Sequence, residues 1–408
     1  MDRTIPLLVW FVILAAVVLL LILVSPPERL ITPGKFLIID AARVCPLLPT
    51  CFYQNPDTPY GRPIIPSTKP LPALDLFFGA MYLTLLEGVV IMGKVPSNVK
   101  YWSFIPYLWK VGGPTGFTVF ASLSDGFSNF DTQIPNGQVA IIATRNKIVF
   151  ERERDYLLST PGFNATIIPL YFTDIVTDND LVTILSRATI FPSETALQSY
   201  IQVPGLTTYK VTYTDLPVVT VPVSVPNQPT KPGGINLRAL PLDQSEITIV
   251  PEFDAYTAEV LKNFNVSSEI PLRPFLSASL PNNTPYNNGY QCIANRLPCF
   301  GDNRQTYYGT GDPFEVAEQE DVLIVAVNHA ATGRAFYAQV ALYDDTRQFG
   351  IDSITVFADD GRFYSHVFDI TTPGAYRLAE RAYIQLPQAI GPAAQSIISS
   401  RAFIVTAK

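Results

Sequence analysis

The sequence predicts a mostly β protein of the α+β class, in which an N-terminal transmembrane helix precedes an antiparallel β-sheet ectodomain. Three observations support this prediction. Residues 7–24 form an unbroken apolar stretch, proline accounts for 36 of the 408 residues, and short runs rich in β-branched and aromatic residues recur between turn signals. Proline interrupts helices and is confined to the edges and ends of strands, so its abundance favours strands joined by long loops.

The apolar stretch from Leu7 to Val24 has the length of a membrane span. At about 1.5 Å per residue its 18 positions cover roughly 27 Å, close to the hydrocarbon thickness of a bilayer. A cleaved signal peptide is the alternative, but the stretch is longer than the apolar region of such peptides, and Ser25-Pro26-Pro27 replaces a small-residue cleavage site. We therefore expect an uncleaved single-pass anchor, with the lipid bilayer as a partner through residues 7–24.

Two close cysteine pairs predict two local disulfide bonds, Cys45 with Cys51 and Cys292 with Cys299. Zinc-binding cysteines are spaced more tightly, and the chain has just two histidines to complete such a site, so we expect no metal. Disulfide bonds persist in oxidising compartments. The pairs therefore favour a non-cytosolic location for the region that contains them.

Three sequons, at Asn164, Asn265 and Asn282, are candidate acceptors for N-glycosylation. Arg3 precedes the anchor whereas Arg29 follows it, so the positive-inside rule leaves the orientation open. The sequons and cysteine pairs decide the expected sidedness instead. They predict a C-terminal domain that is extracellular, lumenal or virion-facing.

The charge pattern argues against nucleic acid as a partner. The formal net charge is −7, the isoelectric point is near 5.0, and no basic stripe interleaved with aromatic residues occurs. The alternating charges of residues 151–155 predict an exposed helix face.

The sequence lacks the G-x-S-x-G elbow, the phosphate-binding P-loop and the H-E-x-x-H zinc motif, so no catalytic residue and no cofactor is predicted.

Composition divides the chain into five segments. Proline is frequent around the first cysteine pair, and five prolines occur within residues 216–232. The predicted segments are a transmembrane anchor at 1–25, a proline-rich stalk at 26–72, an N-terminal β-rich region at 73–215, a proline-rich linker at 216–234 and a C-terminal β-rich region at 235–408.

Residues 138–213 predict a ferredoxin-like βαββαβ subdomain embedded in the N-terminal region. Strand patterns at 138–143, 166–172, 181–190 and 208–213 alternate with helical patterns at 146–158 and 193–201. This order of elements is the signature of ferredoxin-like folds. The alternative is an α+β unit within a β protein.

A weak internal similarity relates the two halves of the chain. In both halves a glycine and a basic residue precede two tyrosines six positions apart: Gly93-Lys94 with Tyr101 and Tyr107, and Gly333-Arg334 with Tyr337 and Tyr343. Each set stands after an apolar strand pattern. The similarity indicates two related β units, with coincidence as the alternative.

Two features are candidate binding sites. Residues 277–312 are rich in asparagine, proline, glycine and tyrosine, and the candidate contact residues are Tyr286, Tyr290, Tyr307 and Tyr308, with ordinary packing as the alternative. His329 follows a predicted buried strand and is either a hydrogen-bonded structural residue or a catalytic group. A pocket that holds His329 beside a carboxylate would favour an enzyme, whereas a filled site would favour a non-enzymatic role.

Two stretches resemble a known group of sequences. They are Val99-Lys100-Tyr101-Trp102-Ser103-Phe104, taken with residues 120–125, and residues 325–335, which include Asn328-His329. Together they resemble an uncharacterised family of membrane-anchored or secreted β-rich proteins of algae, cyanobacteria and large algal DNA viruses. The resemblance implies no activity, so no catalytic residue follows from it.

The predicted function is that of a non-enzymatic, membrane-anchored ectodomain. It would have a structural or binding role at a cell surface, in a lumen or at a virion membrane, with other membrane or capsid proteins as further partners. The alternative is a secreted or anchored hydrolase that acts on carbohydrate or lipid.

Overall fold

The computed structural model shows two β-sandwich domains in tandem. It describes residues 29–67, 69–123, 126–131, 134–173, 175–216, 246–274, 289–303, 305–383 and 396–408. Strands dominate both domains and, apart from one pair, run antiparallel within the sheets, which confirms the predicted mostly β, α+β class. The predicted anchor at residues 7–24 lies outside the described residues. Among the helices within them, none is both long and apolar enough to span a membrane.

The N-terminal domain packs a five-stranded sheet against a six-stranded sheet. Its strands are β1 (Arg29–Pro33), β2 (Lys35–Ile39), β3 (Tyr60–Ile64), β4 (Glu87–Lys94), β5 (Tyr101–Val111), β6 (Phe117–Ser122), β7 (Phe127–Ser128), β8 (Gln138–Thr144), β9 (Thr166–Tyr171), β10 (Leu181–Thr189) and β11 (Leu206–Tyr213). Its helices are α1 (Ala41–Val44), α2 (Ala73–Phe77), α3 (Lys147–Ser159) and α4 (Glu194–Gln202). The sheets have the orders β1-β11-β4-β8-β9 and β2-β3-β10-β5-β6, with β7 added to β5.

The C-terminal domain packs a four-stranded sheet against a second six-stranded sheet. Its strands are β12 (Phe264–Pro271), β13 (Arg273–Pro274), β14 (Thr306–Thr310), β15 (Phe314–Val316), β16 (Asp321–Val327), β17 (Tyr337–Asp344), β18 (Phe349–Val356), β19 (Phe363–Phe368), β20 (Gly374–Tyr383) and β21 (Arg401–Ala407). The helices α5 (Val250–Leu261) and α6 (Gly289–Asn295) accompany them. The sheets have the orders β12-β21-β16-β19 and β13-β14-β20-β17-β18, with β15 added to β20.

The two domains share one topology. The order β1-β11-β4-β8 corresponds to β12-β21-β16-β19, and β2-β3-β10-β5-β6 corresponds to β13-β14-β20-β17-β18, with the chain order preserved throughout. The tyrosines that suggested an internal repeat occupy equivalent positions, because Tyr101 opens β5 and Tyr337 opens β17. The chain is therefore built from two copies of one β-sandwich unit.

Alternating residues of the strands fill the interior of each sandwich. In the N-terminal domain the core includes Ile91, Phe104 and Ile141, and in the C-terminal domain it includes Ile324 and Val340. These side chains face inward at every second position, because successive residues of a strand point to opposite sides of the sheet. The other faces of the six-stranded sheets are thereby left to form contacts between the domains.

Helix α3 covers the outer face of the five-stranded sheet. Asn146 caps its first turn, since its side-chain oxygen accepts a hydrogen bond from the Ile148 nitrogen at 3.1 Å. Glu153 is fully buried and accepts hydrogen bonds from Arg29 at 2.7 Å and from the Tyr209 hydroxyl at 2.7 Å. The prediction that residues 151–155 form an exposed face is therefore wrong at Glu153, whose charge is paired with the first strand.

The ferredoxin-like subdomain does not form, although the predicted order of elements is present. Residues 138–213 give β8-α3-β9-β10-α4-β11, but these strands are divided between two sheets. Strand β10 pairs with β3 and β5 in the six-stranded sheet, whereas β8, β9 and β11 belong to the other sheet. Every residue of β10 is buried, so this strand needs cover on both faces, which an isolated subdomain would not supply.

The segment predicted to be a stalk supplies strands to both N-terminal sheets. Strand β1 pairs with β11, and β2 and β3 pair with each other beside β10. Residues 29–64 are thus part of the first sandwich rather than a separate stalk. The predicted linker at 216–234 lies outside the described residues, except for Leu216.

Candidate functional site at the domain interface

Two disulfide bonds close equivalent loops in the two domains. The predicted pairs are confirmed: Cys45 is bonded to Cys51 and Cys292 to Cys299, with Cα atoms 5.4 and 5.8 Å apart. All four cysteines are buried. Each loop leads into the strand, β3 or β14, that borders β10 or β20.

Each disulfide loop, with the two residues that follow it, lies along the other domain. The nitrogens of Cys51 and Tyr53 donate to carbonyls just before β18, those of Arg347 at 3.3 Å and Gln348 at 2.9 Å. The second loop repeats this arrangement on β6: the nitrogens of Cys299 and Gly301 donate to the carbonyls of Val119 at 2.7 Å and Phe120 at 2.8 Å. Strands β6 and β18 are the outermost strands of their sheets, so each loop covers an edge that would otherwise be open to pairing.

The residues that follow the two loops form a repeated motif. Its spacing is C-F-x2-N-x2-T-x-Y-G, seen as Cys51-Phe52, Asn55, Thr58 and Tyr60-Gly61, and again as Cys299-Phe300, Asn303, Thr306 and Tyr308-Gly309. In both copies the asparagine side chain accepts a hydrogen bond from the backbone nitrogen two residues on, at 3.0 Å. Sequence reasoning missed this motif, although a comparison of the two cysteine loops finds it.

Two buried arginines occupy equivalent positions behind the motif. Arg187 on β10 lies opposite Tyr60, and Arg381 on β20 lies opposite Tyr308, in the same register. Each Nη2 atom donates to a tyrosine hydroxyl and to a carbonyl of the facing loop. The acceptors of Arg187 are Tyr107 at 2.8 Å and Gly301 at 2.5 Å, and those of Arg381 are Tyr343 at 2.5 Å and Tyr53 at 3.0 Å.

Tyrosine rings surround both guanidinium groups. The Arg187 guanidinium lies 5.7 Å from the Tyr60 ring centre, and the Arg381 guanidinium lies 5.7 Å from that of Tyr308, at the outer range of a cation–π contact. Burial raises the pKa of the tyrosine hydroxyls here, that of Tyr101 to about 12. These hydroxyls therefore stay neutral at physiological pH and provide no counter-charge.

The two arginines are buried charges with unused donors. Arg187 is 6% exposed and Arg381 is 4% exposed, and the ion pairs of the described residues include neither of them. Within the same residues, Nε and Nη1 of Arg187 and Nη1 of Arg381 have no hydrogen-bond partner. A cavity of about 60 Å³ lies beside Arg381, lined among others by Tyr53, Phe300, Tyr308, Gly309 and Ala379.

His329 lies apart from this interface, inside the C-terminal domain. Its Nδ1 is 3.0 Å from a carboxylate oxygen of Glu246, and its Nε2 is 3.1 Å from one of Glu380. Glu246 also accepts hydrogen bonds from Thr332 and from the Ile398 nitrogen. The cluster thus joins four separate parts of the chain inside the second sandwich.

The charge of the His329 cluster is set by its two carboxylates. Burial alone lowers the pKa of His329, but the charge of Glu246 and the hydrogen bonds to Glu246 and Glu380 raise the pKa to about 10. Burial alone raises the pKa of Glu246, and the charge of His329 brings it below its usual value. The native state therefore holds a protonated imidazole between two carboxylates. Sequence reasoning identified His329 but neither partner.

The predicted contact tyrosines do not come together as one surface in the described residues. Tyr307 packs in the C-terminal interior, where its hydroxyl is 3.2 Å from that of Ser399. Tyr308, the next residue of β14, faces Arg381 at the domain interface. Tyr286 lies outside the described residues, and Tyr290 belongs to α6 with its side chain not described.

Two of the three predicted glycosylation sites are accessible. Asn164 and Asn265 are both exposed, the first before β9 and the second on β12. Asn282 lies outside the described residues. Exposure is a requirement for modification, and the modification itself stays a prediction.

Comparison with known proteins gives structural matches alone. No family model matches the chain, and no curated protein matches it. One similar solved structure is that of an uncharacterised protein from Burkholderia cenocepacia, with 11% identity over 92% of this chain and 82% of that one, at a TM-score of 0.41. Another is that of a protein from Vibrio parahaemolyticus, with 10% identity over 86% of this chain and 90% of that one, at a TM-score of 0.40.

Proposed function

We propose that the protein is a single-pass membrane-anchored, non-enzymatic ectodomain with a structural or binding role at a cell surface, in a lumen or at a virion membrane. The observation that supports this best is the reciprocal placement of the two disulfide loops. Each loop is closed by a bond that persists in oxidising surroundings, and each covers the sheet edge of the other domain. Two sandwiches joined in this way suit an exposed, non-cytosolic location.

The disulfide bonds act through the shape of their loops as well as through chain entropy. A crosslink between residues six or seven positions apart removes limited freedom from the unfolded chain, which corresponds to about 2 kcal/mol of stabilisation. The closed loops hold Cys51 and Cys299 where their backbone nitrogens reach the neighbouring domain. The bonds therefore fix the orientation of the two domains as well as stabilising them.

The position of the first strand supports attachment close to a bilayer. Arg29 opens β1 five residues after Val24, so at most about 18 Å of extended chain separates the sandwich from the predicted anchor. On β1, Leu30 and Ile31 are each 51% exposed, and β1 is the outermost strand of its sheet. An apolar edge beside the anchor suits a domain that rests near lipid.

The geometry at His329 supports a structural role for this residue over the hydrolase alternative. The ring is 1% exposed, and both of its nitrogens contact carboxylates. A general base must reach its substrate directly or through one water. A buried, protonated imidazole does not meet that requirement, so His329 fits the filled site expected of a non-enzymatic protein.

Membrane attachment and sidedness can be tested on the full chain expressed in a eukaryotic secretory host. We expect the protein to stay in the membrane fraction after alkaline carbonate extraction, and the double substitution Leu14→Lys with Leu20→Lys to release it, because charges within a span oppose insertion. Protease added outside sealed vesicles should leave the domains intact. Asn164→Gln and Asn265→Gln should each remove one glycan, seen as a mobility shift.

The matched control is Leu158→Lys with Val203→Lys, which adds the same charge at exposed positions away from the anchor and from β1 and should leave the protein in the membrane. Mature protein found in solution, with an N-terminus beyond residue 24, would overturn the anchored proposal. If protease added outside sealed vesicles digests the two domains, the proposed sidedness is overturned.

A further inference from the structure

We propose that the cavity beside Arg381 is a binding site for a small oxyanion, a carboxylate or phosphate group that the guanidinium holds at the domain interface. Both domains form the site, because Tyr53 follows the first disulfide loop and Tyr308 belongs to the second sandwich. It is separate from the His329 cluster, since Glu380 and Arg381 are consecutive residues of β20 and point to opposite faces of the sheet.

The chemistry of the cavity matches an anion. Arg381 lines the cavity, and its Nη1 has no hydrogen-bond partner within the described residues, while Nη2 donates to Tyr53 and Tyr343. The charge of Asp57 acts on Arg381, but no ion pair within the described residues includes this arginine, so an oxyanion would supply both a contacting counter-charge and the missing acceptor. Guanidinium groups bind carboxylate and phosphate oxygens through short, charge-assisted hydrogen bonds.

The other charged groups that line the cavity are already engaged. Arg377 pairs with Asp345 at 2.6 Å, and the Tyr53 hydroxyl donates to the same carboxylate at 2.6 Å. Asp302 accepts hydrogen bonds from the nitrogen and the hydroxyl of Ser122, at 2.6 and 2.5 Å. Because Arg377 and Asp345 neutralise each other, the attraction on an incoming anion comes from the Arg381 guanidinium, and the negative charge of Asp302 confines the anion to the Arg381 side of the cavity.

The cavity size limits the ligand. A volume of about 60 Å³ has room for a few water molecules or one small anion, since one water needs about 10–15 Å³ of such space. The Phe300 ring and the Ala379 side chain form apolar parts of the wall. The site therefore fits a free oxyanion or a short carboxylic acid rather than a nucleotide or a sugar.

In the N-terminal domain the position equivalent to Ala379 holds a larger side chain. Leu185 and Ala379 are equivalent, because each lies two residues before the interface arginine on β10 or β20. Leu185 is buried in one cluster with Phe78 and Trp109. A larger side chain at this position thus fills the space that Ala379 leaves open. The substitution Ala379→Leu should close the site without removing its charge.

Thermal unfolding of the full chain in detergent micelles tests the proposal. Sodium acetate and sodium phosphate are titrated against sodium chloride at equal ionic strength, because a ligand that binds the native state raises the unfolding temperature. We expect a saturable rise of about 2–4 °C for one or both oxyanions. The anion that saturates at the lower concentration identifies the carboxylate or the phosphate as the preferred group.

Three variants complete the test. Ala379→Leu should fold, because it copies the N-terminal domain, and should abolish the rise. Arg381→Met should abolish it as well, whereas Arg362→Met, which removes an exposed arginine of the same domain, should leave it unchanged. The proposal is overturned if neither oxyanion differs from chloride, or if Ala379→Leu retains the full rise. Should Arg381→Met fail to fold, Ala379→Leu still decides the outcome.

Discussion

The two domains cover the same position of their six-stranded sheets with different side chains. In the N-terminal domain Leu185 and Phe78 lie in one buried cluster, and Phe78 stacks on Trp109 with ring centroids 4.6 Å apart. In the C-terminal domain the position of Leu185 holds Ala379, a charged pair that includes Asp345 lies nearby, and a cavity remains. The first domain has closed this position with aromatic packing, and the second has left a cavity beside Arg381.

Both domains make the same arginine contacts at the interface, whether Leu185 or Ala379 lies beside the arginine. Each domain keeps an arginine that donates to a tyrosine hydroxyl of its own sheet and to a carbonyl of the facing loop, as Arg187 does to Tyr107 and Gly301. These contacts hold the loops in place whichever side chains lie beside them. The shared groups therefore build the interface, and the differing groups decide whether it contains space for a ligand.

The largest effect that separates the two domains should come from Phe78→Ala. The Phe78 ring is fully buried, so its removal should cost about 4 kcal/mol of unfolding free energy through lost burial and a new cavity. The measurement is equilibrium unfolding in urea. Phe117→Ala is the control, because Phe117 is 45% exposed, and should cost less than about 1 kcal/mol. Equal losses for both variants would show that the aromatic cluster does not stabilise the N-terminal domain.

Local patterns in the sequence predicted the parts of the fold that depend on neighbouring residues. The cysteine pairs and the order of elements in residues 138–213 are examples, since spacing and periodicity define them. The sheet that β10 joins was not predictable in this way. Its pairing with β5 brings Leu181 beside Lys110, and five other elements lie between these strands in the chain.

The next largest effect should come from His329→Gln, because the His329 cluster has no counterpart in the N-terminal domain. There Ser186 stands at the position of Glu380, one residue before the interface arginine. Removal of one partner from a buried charge cluster leaves the others uncompensated, so we expect a loss of about 3 kcal/mol. Hydrogen exchange should show faster opening of the C-terminal strands alone. Equal acceleration in both domains would contradict a role confined to the second sandwich.

The same variant should change how stability depends on pH. Because the pKa of His329 is raised from its usual 6.5 to about 10, protonation of the ring favours the native state. This contribution is complete below about pH 6.5 and is lost as the pH rises toward 10. Wild type should therefore lose stability across that range, and His329→Gln should lose less. His366→Gln, on a partly exposed ring, is the control, and an identical slope in wild type and His329→Gln would refute the charged cluster.

The candidate sites were only partly predictable, because their residues are distant in sequence. His329 was identifiable as one of two histidines, but Glu246 lies 83 residues before it and Glu380 lies 51 residues after it, with no motif that links them. Arg187 stands within an ordinary strand pattern. Two repeated patterns did signal the interface. The internal similarity contains Tyr107 and Tyr343, the acceptors of the two arginines, and the C-F-x2-N-x2-T-x-Y-G spacing marks the two loops.

The smallest effect should come from the disulfide bonds, where the two domains are expected to behave alike. Replacement of Cys45 and Cys51 by alanine, or of Cys292 and Cys299 by alanine, should each cost about 2 kcal/mol, because the closed loops have nearly equal lengths. Urea unfolding of both double variants measures this. Treatment of wild type with a reductant should reproduce the combined loss, and cysteine-free protein treated in the same way is the control.

Each disulfide loop contacts the other domain, so hydrogen exchange can locate the effect of losing each bond. The loop that contains Cys51 donates to Arg347 in the C-terminal domain, whereas the loop that contains Cys299 donates to Val119 in the N-terminal domain. Loss of the first disulfide should therefore speed hydrogen exchange at the Tyr53 amide, which donates to Gln348, and loss of the second should do so at the Gly301 amide, which donates to Phe120. Unchanged exchange at these two amides would mean that the loops keep their contacts with the partner domain without the disulfide bonds.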